Sequence, residues 1–155
     1  MMRPLIGTLA FVLTAVTPVA AQTCTPLAVV AGEGTSVTKR VSPPNAGTIP
    51  KVPVGFRGNW DTDFAVPGGM RFNQYVATIQ SESTEDANFK VKMFLKYSDG
   101  TADRIFDDNV SLTPGESREI TGLPRENDGP FQINLNVGGL DALGQSYTIS
   151  VLGCE

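Results

Sequence analysis

From about residue 22 onward, apolar and polar positions alternate in short runs. Phe89, Val91, Met93, Leu95 and Tyr97 interleave with Lys90, Lys92, Phe94 and Lys96. Phe131, Ile133, Leu135 and Val137 interleave with Gln132, Asn134 and Asn136, and Tyr147, Ile149 and Val151 with Ser146, Thr148 and Ser150. A period of two places successive side chains on opposite faces of a strand. The pattern predicts strands at 27–31, 36–41, 63–66, 70–80, 88–98, 101–106, 109–112, 117–121, 131–137 and 146–152. Turn residues punctuate them: Pro67-Gly68-Gly69, Asp99-Gly100, Pro114-Gly115, Asp128-Gly129-Pro130 and Gly138-Gly139. No window carries a helical period. The expected fold is therefore an all-β antiparallel sandwich of about 8–10 short strands. The proline-rich stretch 42–53 reads as an extended connector across the surface.

Two pairings follow from this pattern. Asp99-Gly100 suits a two-residue type I′ turn, which needs positive φ at both central positions. Counting outward from it sets Lys96 opposite Asp103, Phe94 opposite Ile105 and Lys92 opposite Asp107. The same count turns Arg104 and Asp108 inward, a strain that a bulge near Ile105-Phe106 would relieve. The strands 131–137 and 146–152, each with one apolar face, read as neighbours in a half-buried antiparallel sheet.

The first 21 residues stand apart. Arg3, the apolar run from Leu5 to Val16, and Val19-Ala20-Ala21 form the tripartite pattern of a cleaved secretory signal peptide. The run is shorter than the roughly 20 apolar residues of a membrane span. The expectation is a single domain over 22–155, secreted or periplasmic, with no transmembrane segment in the mature chain. Two cysteines then have a physical role. Cys24 and Cys154 lie near the two ends of that domain, and an oxidising compartment favours a bridge between them. Closing so long a loop stabilises by about 5 kcal/mol in the chain-entropy model.

Composition removes whole classes of chemistry. The 155 residues include no histidine, so Ser-His-Asp, Cys-His and His-ligated metal systems are out of reach. With 12 Lys+Arg against 16 Asp+Glu, the formal charge of −4 argues against a nucleic-acid partner. Carboxylate pairs occur, as in any acidic chain, without a spacing that marks an active site, and the expectation is a protein that is not an enzyme. No cofactor is called for. The one ion worth weighing is calcium, at the oxygen-rich segments containing Asp61, Asp63 and Asp128, which read equally as Asx turns at strand ends.

What remains can stack and hydrogen-bond. Trp60, the single tryptophan, follows Asn59. It reads either as a plug for one end of the sandwich or as a platform for a sugar ring. Gln132, Asn134 and Asn136, with Ser146, Thr148 and Ser150, form polar, uncharged stripes. The lysine face with Phe94 reads as a surface neutralised by cross-strand aspartates. This pattern of short alternating strands resembles that of exported immunoglobulin-like or fibronectin-like sandwiches. The resemblance carries no functional residues. The expected function is a binding or structural module of the cell envelope or secretome, its partner another envelope or secreted protein. The alternative is a carbohydrate-binding module holding a glycan through Trp60 or a neutral sheet face.

Overall fold

The computed structural model describes residues 21–43 and 59–155. The expected signal peptide, apart from Ala21, and most of the 42–53 connector lie outside the described residues. Among the described residues there are ten strands: β1 (Cys24–Pro26), β2 (Ala28–Val29), β3 (Ser36–Arg40), β4 (Asp61–Ala65), β5 (Gln74–Ser81), β6 (Ala87–Lys96), β7 (Ala102–Leu112), β8 (Ser117–Gly122), β9 (Gln132–Gly138) and β10 (Ser146–Cys154). One 3-10 turn, Leu140–Ala142, joins the last two. Among the described residues no helix is long and apolar enough to cross a membrane.

The pairings nest. β6 pairs with β7, β5 with β8, β4 with β9 and β3 with β10, all antiparallel. The chain is thus one long hairpin whose tip is the β6–β7 turn. Rolling that hairpin up brings β10 beside β5 and β9 beside β6. Two five-stranded sheets result: β10, β5 and β8 with β1 and β3 along the free edge of β10, and β2-β4-β9-β6-β7. This is the jelly-roll way of building the expected sandwich. Its strand order differs from that of an immunoglobulin domain, in which A, B, E and D share one sheet and C, F and G the other.

The alternation read from the sequence fills the core. Phe89, Val91, Met93 and Leu95 of β6, Ile133, Leu135 and Val137 of β9, and Tyr147, Ile149 and Val151 of β10 are all buried. Phe89 and Tyr147 meet across the two sheets edge to face, with ring centroids 5.6 Å apart. At the margin, Cys24 and Cys154 are register partners on β1 and β10 and form the expected disulfide across 130 residues of sequence. It fastens a three-residue strand that has little apolar surface of its own to bury.

Two expected pairings are corrected. β9 and β10 are not neighbours; they lie in opposite sheets and face each other through the core. Alternation fixes which face is buried, and it carries no information about which sheet a strand joins. The hairpin turn is also one residue longer than expected. The Tyr97 carbonyl accepts from Gly100 N–H at 3.1 Å and Tyr97 N–H donates to Thr101 at 2.9 Å. Gly100 takes φ 85°, whereas Asp99 is not among the positive-φ residues, so a three-residue loop replaces the type I′ turn. Asp99 instead accepts from the Thr101 N–H and hydroxyl. Lys96 now faces Ala102, and Leu95 faces Asp103, which puts Lys96 and Asp103 on opposite faces of the sheet. A bulge that leaves Ile105 without a partner restores the count, so Lys92 does face Asp107. The two predicted strands at 101–106 and 109–112 are one bulged strand, β7.

Candidate ligand-binding face

The outer face of the second sheet collects most of the unusual polar side chains. Asp61, Asn136, Lys92 and Asp107 form one row across β4, β9, β6 and β7. Asp63, Asn134, Phe94 and Arg104 form the next, and Ala65, Gln132, Lys96 and Ala102 the third. Strands lie about 4.8 Å apart and successive outward residues about 6.8 Å, so the three rows make a close-set polar grid.

Hydrogen bonds hold the grid in shape. Asp63 accepts from the Lys96 ammonium and from the Asn134 amide, each at 2.9 Å. Burial alone would raise the Asp63 pKa. The Asn134 and Lys96 hydrogen bonds outweigh it and leave the group below its ordinary value. Asn136 donates to Asp61 at 3.1 Å. Asp107 is bonded by Lys90 at 2.7 Å and Arg104 at 3.1 Å, and the Lys90 hydrogen bond above all holds its carboxyl below the usual range. Lys92 is different. The described residues include every carboxylate side chain of the protein, and none of them forms an ion pair with it. Phe94, half-buried, sits between Asn134 and Arg104 in the middle row.

The remaining sequence-predicted residues are divided between three places. Ser146, Thr148 and Ser150 lie on β10, in the other sheet, so their stripe faces away from Gln132, Asn134 and Asn136 across the whole thickness of the sandwich. There Thr148 bonds Thr38 at 2.7 Å and Glu82 at 2.8 Å. Asn59 is committed to its own loop, accepting from the Ser42 hydroxyl at 2.8 Å and donating to the Arg40 carbonyl at 2.9 Å. Trp60 is half-buried, packs against the core cluster and donates from Nε1 to the Ser42 carbonyl at 2.9 Å. Its ring rests on Gly138, where an added Cβ would come within 2.2 Å of the indole.

The calcium candidates do not come together. Asp61 and Asp63 sit on a strand, where an amide and an ammonium already bond them. Asp128 lies in the β8–β9 loop beside Arg125. Among the described residues, no three Cys, Asp or Glu side chains converge as a metal site.

No family model matches the chain, and no curated protein matches it. Among solved structures it is similar to a point mutant of a family 29 carbohydrate-binding module. The two are 12% identical, the match covers 87% of each chain, and the TM-score is 0.43. That likeness is too distant to bear on function.

Arg125 escaped the sequence reading. Its guanidinium lies 3.8 Å from the Tyr97 ring centroid and forks onto Asp103 at 2.9 and 2.7 Å. Asp103, expected beside Lys96, is therefore the anchor of a clamp between the β6–β7 hairpin and the β8–β9 loop. No local signal points to it, because the partners are 22 residues apart and on different turns of the roll.

Proposed function

We propose that the protein is an exported, non-enzymatic binding module. Its ligand is a polyhydroxylated polymer such as a glycan strand, held on the outer face of the second sheet along β9 and β6. The observation that carries this reading is the grid itself. Amides, carboxylates and cations of four strands alternate there around the half-exposed Phe94 ring, with the Lys92 ammonium unpaired. Sugars are recognised by this mixture: a ring face stacks on an aromatic or apolar surface, while hydroxyls exchange hydrogen bonds with amides and charged groups. Catalysis fits the face poorly. A carboxylic acid that donates a proton near neutral pH needs a raised pKa, and Asp63 and Asp107 are both shifted downward. Export is supported by the Cys24–Cys154 disulfide, which persists in oxidising compartments.

An open face buries little of its ligand, so affinity should be modest. A glycan array followed by calorimetry on the hits tests the reading. Phe94→Ala, Asn136→Ala and Lys92→Ala should each weaken binding about tenfold, the loss of one good contact, or about 1.4 kcal/mol. Thr148→Ala, on the opposite face, should leave it unchanged. Binding lost in Thr148→Ala and retained in the other three would move the site to the first sheet. Capture of a protein ligand with no response to any glycan would replace the ligand class.

A further inference from the structure

A second candidate site lies at the end of the sandwich that holds the disulfide. The β4–β5 loop and the β8–β9 loop run side by side there and enclose a cleft of about 400 Å³. That volume falls at the small end of the range of about 300–1,000 Å³ for small-molecule sites. Arg71, Phe72 and Asn73 line one wall, and Leu123, Glu126 and Asp128 stand on the other.

Both walls are fixed. Asn73 N–H donates to the Cys154 carbonyl at 2.7 Å, so the first loop is fastened to the disulfide-bonded end of β10. The second loop is held by the Arg125 clamp on Tyr97 and Asp103, and by Arg125 N–H donating to the Tyr97 hydroxyl at 3.2 Å. A cleft with rigid walls loses little conformational freedom when it takes a ligand.

Three of the polar side chains inside, Arg71, Asn73 and Glu126, are uncommitted. Among the described residues no carboxylate pairs with Arg71, and the Asn73 amide and Glu126 carboxylate make no side-chain hydrogen bond to another residue there. Apolar surface accompanies them. Leu123, an exposed large hydrophobic side chain, lines the cleft with Phe72, and Met70 and Phe131 are exposed on the same two loops. Charge decides the ligand class. Arg125 is neutralised by Asp103, so Glu126 and Asp128 leave the cleft with surplus negative charge that repels an anion, while the Arg71 guanidinium, with no carboxylate partner among the described residues, repels a cation. A neutral ring bearing vicinal hydroxyls would use the guanidinium and carboxylate as paired donor and acceptor, the amide as both, and Leu123 as a surface for its C–H face.

We propose that this cleft binds a single neutral sugar ring, separately from the sheet face. The test is a 15N NMR titration of the disulfide-bonded protein with methyl glycosides of glucose, galactose, mannose and N-acetylglucosamine. Methyl glucuronide and sulfate serve as anionic arms. At least one neutral glycoside should give saturable shifts at the Asn73 side-chain amide and at the Glu126 and Gly129 backbone. Asn73→Ala and Arg71→Ala should each weaken that binding about tenfold, whereas Asn136→Ala should leave it unchanged, which separates this site from the sheet face. Three results would overturn the proposal: no saturable shift with any neutral glycoside, shifts that survive in the Arg71→Ala/Asn73→Ala double variant, or saturation by the anions alone.

Discussion

Gly138→Ala is a small change with a large expected cost. Gly138 is where the indole of Trp60 lies against β9. A Cβ there would stand 2.2 Å from Cδ2, 2.5 Å from Cε3 and 2.6 Å from Cγ. Carbon atoms at rest are about 3.5–4.0 Å apart, so the ring would have to retreat by more than 1 Å. It cannot do so freely, because Nε1 is tied to the Ser42 carbonyl at 2.9 Å. Overpacking costs about 1–3 kcal/mol, and loss of that hydrogen bond adds about 1 kcal/mol. The expected destabilisation is therefore about 2–4 kcal/mol. Urea unfolding followed by far-UV circular dichroism measures it. The single tryptophan reports the displacement independently, as a red shift of its emission in the folded protein. Gly68→Ala is the control, since a Cβ at that glycine meets nothing within 4 Å. In a Trp60→Leu background the added methyl group meets a smaller side chain, and the cost of Gly138→Ala should shrink. A loss below about 1 kcal/mol with unshifted emission would refute the packing argument, because overpacking against a fixed ring cannot be that cheap.

Two further outcomes follow from the same structure. Reducing the Cys24–Cys154 bridge should lower the denaturation midpoint, with a stability loss of up to about 5 kcal/mol from the freed loop; equal midpoints with and without reductant would show that the bridge does not constrain the unfolded chain. Asp63 is held below its ordinary value of 3.8, so its contribution to stability is complete above that pH and disappears as pH falls through the lower folded value. Asp63→Asn should accordingly lower stability near neutrality and reduce the loss seen on acidification below about pH 4, measured by thermal melts across that range; parallel acid limbs for the two proteins would contradict the linkage.

The strands and their faces were legible because burial on one side imposes a period of two, which β6 keeps throughout and β10 keeps from Ser146 to Gly153. The disulfide was legible because two cysteines at the ends of an exported chain have little else to do. Sheet membership was not. Ile133 on β9 and Ile149 on β10 have the same kind of neighbours in sequence, yet they enter the core from opposite sheets. Reading the two strands as neighbours puts the stripes of Asn134 and Thr148 on one surface, although the thickness of the sandwich separates them. The hairpin register failed for a local reason. The Asp-Gly pair fits either a two-residue or a three-residue turn, and one added residue moves every side chain on β7 to the other face until the bulge at Ile105 restores the count. Counting from a two-residue turn sets Phe94 opposite Ile105, an ordinary apolar cross-strand pair. Its actual neighbours, Asn134 and Arg104, place it in a polar surface.

The rolled hairpin also explains why the two candidate sites lie where they do. Register partners in β4·β9 and in β5·β8 have residue numbers that add to the same total. The two arms of the hairpin therefore pass from the second sheet to the first after nearly equal lengths of chain. Their crossings, the β4–β5 and β8–β9 loops, must run side by side, and a cleft between them follows from the topology. Within the second sheet the same nesting sets β4 against β9, and the roll sets β9 against β6. Asp63, Asn134 and Phe94 thus meet in one row from three remote parts of the chain. Neither convergence has a local signature, since each depends on how far the hairpin is wound before the next turn covers it. A one-residue register slip of the whole of β9 would change the faces of Gln132, Asn134 and Asn136 together while leaving the Arg71 and Asn73 wall of the cleft in place. Binding at the sheet face and binding at the cleft should then be separable in one protein, a result that a single shared site could not produce.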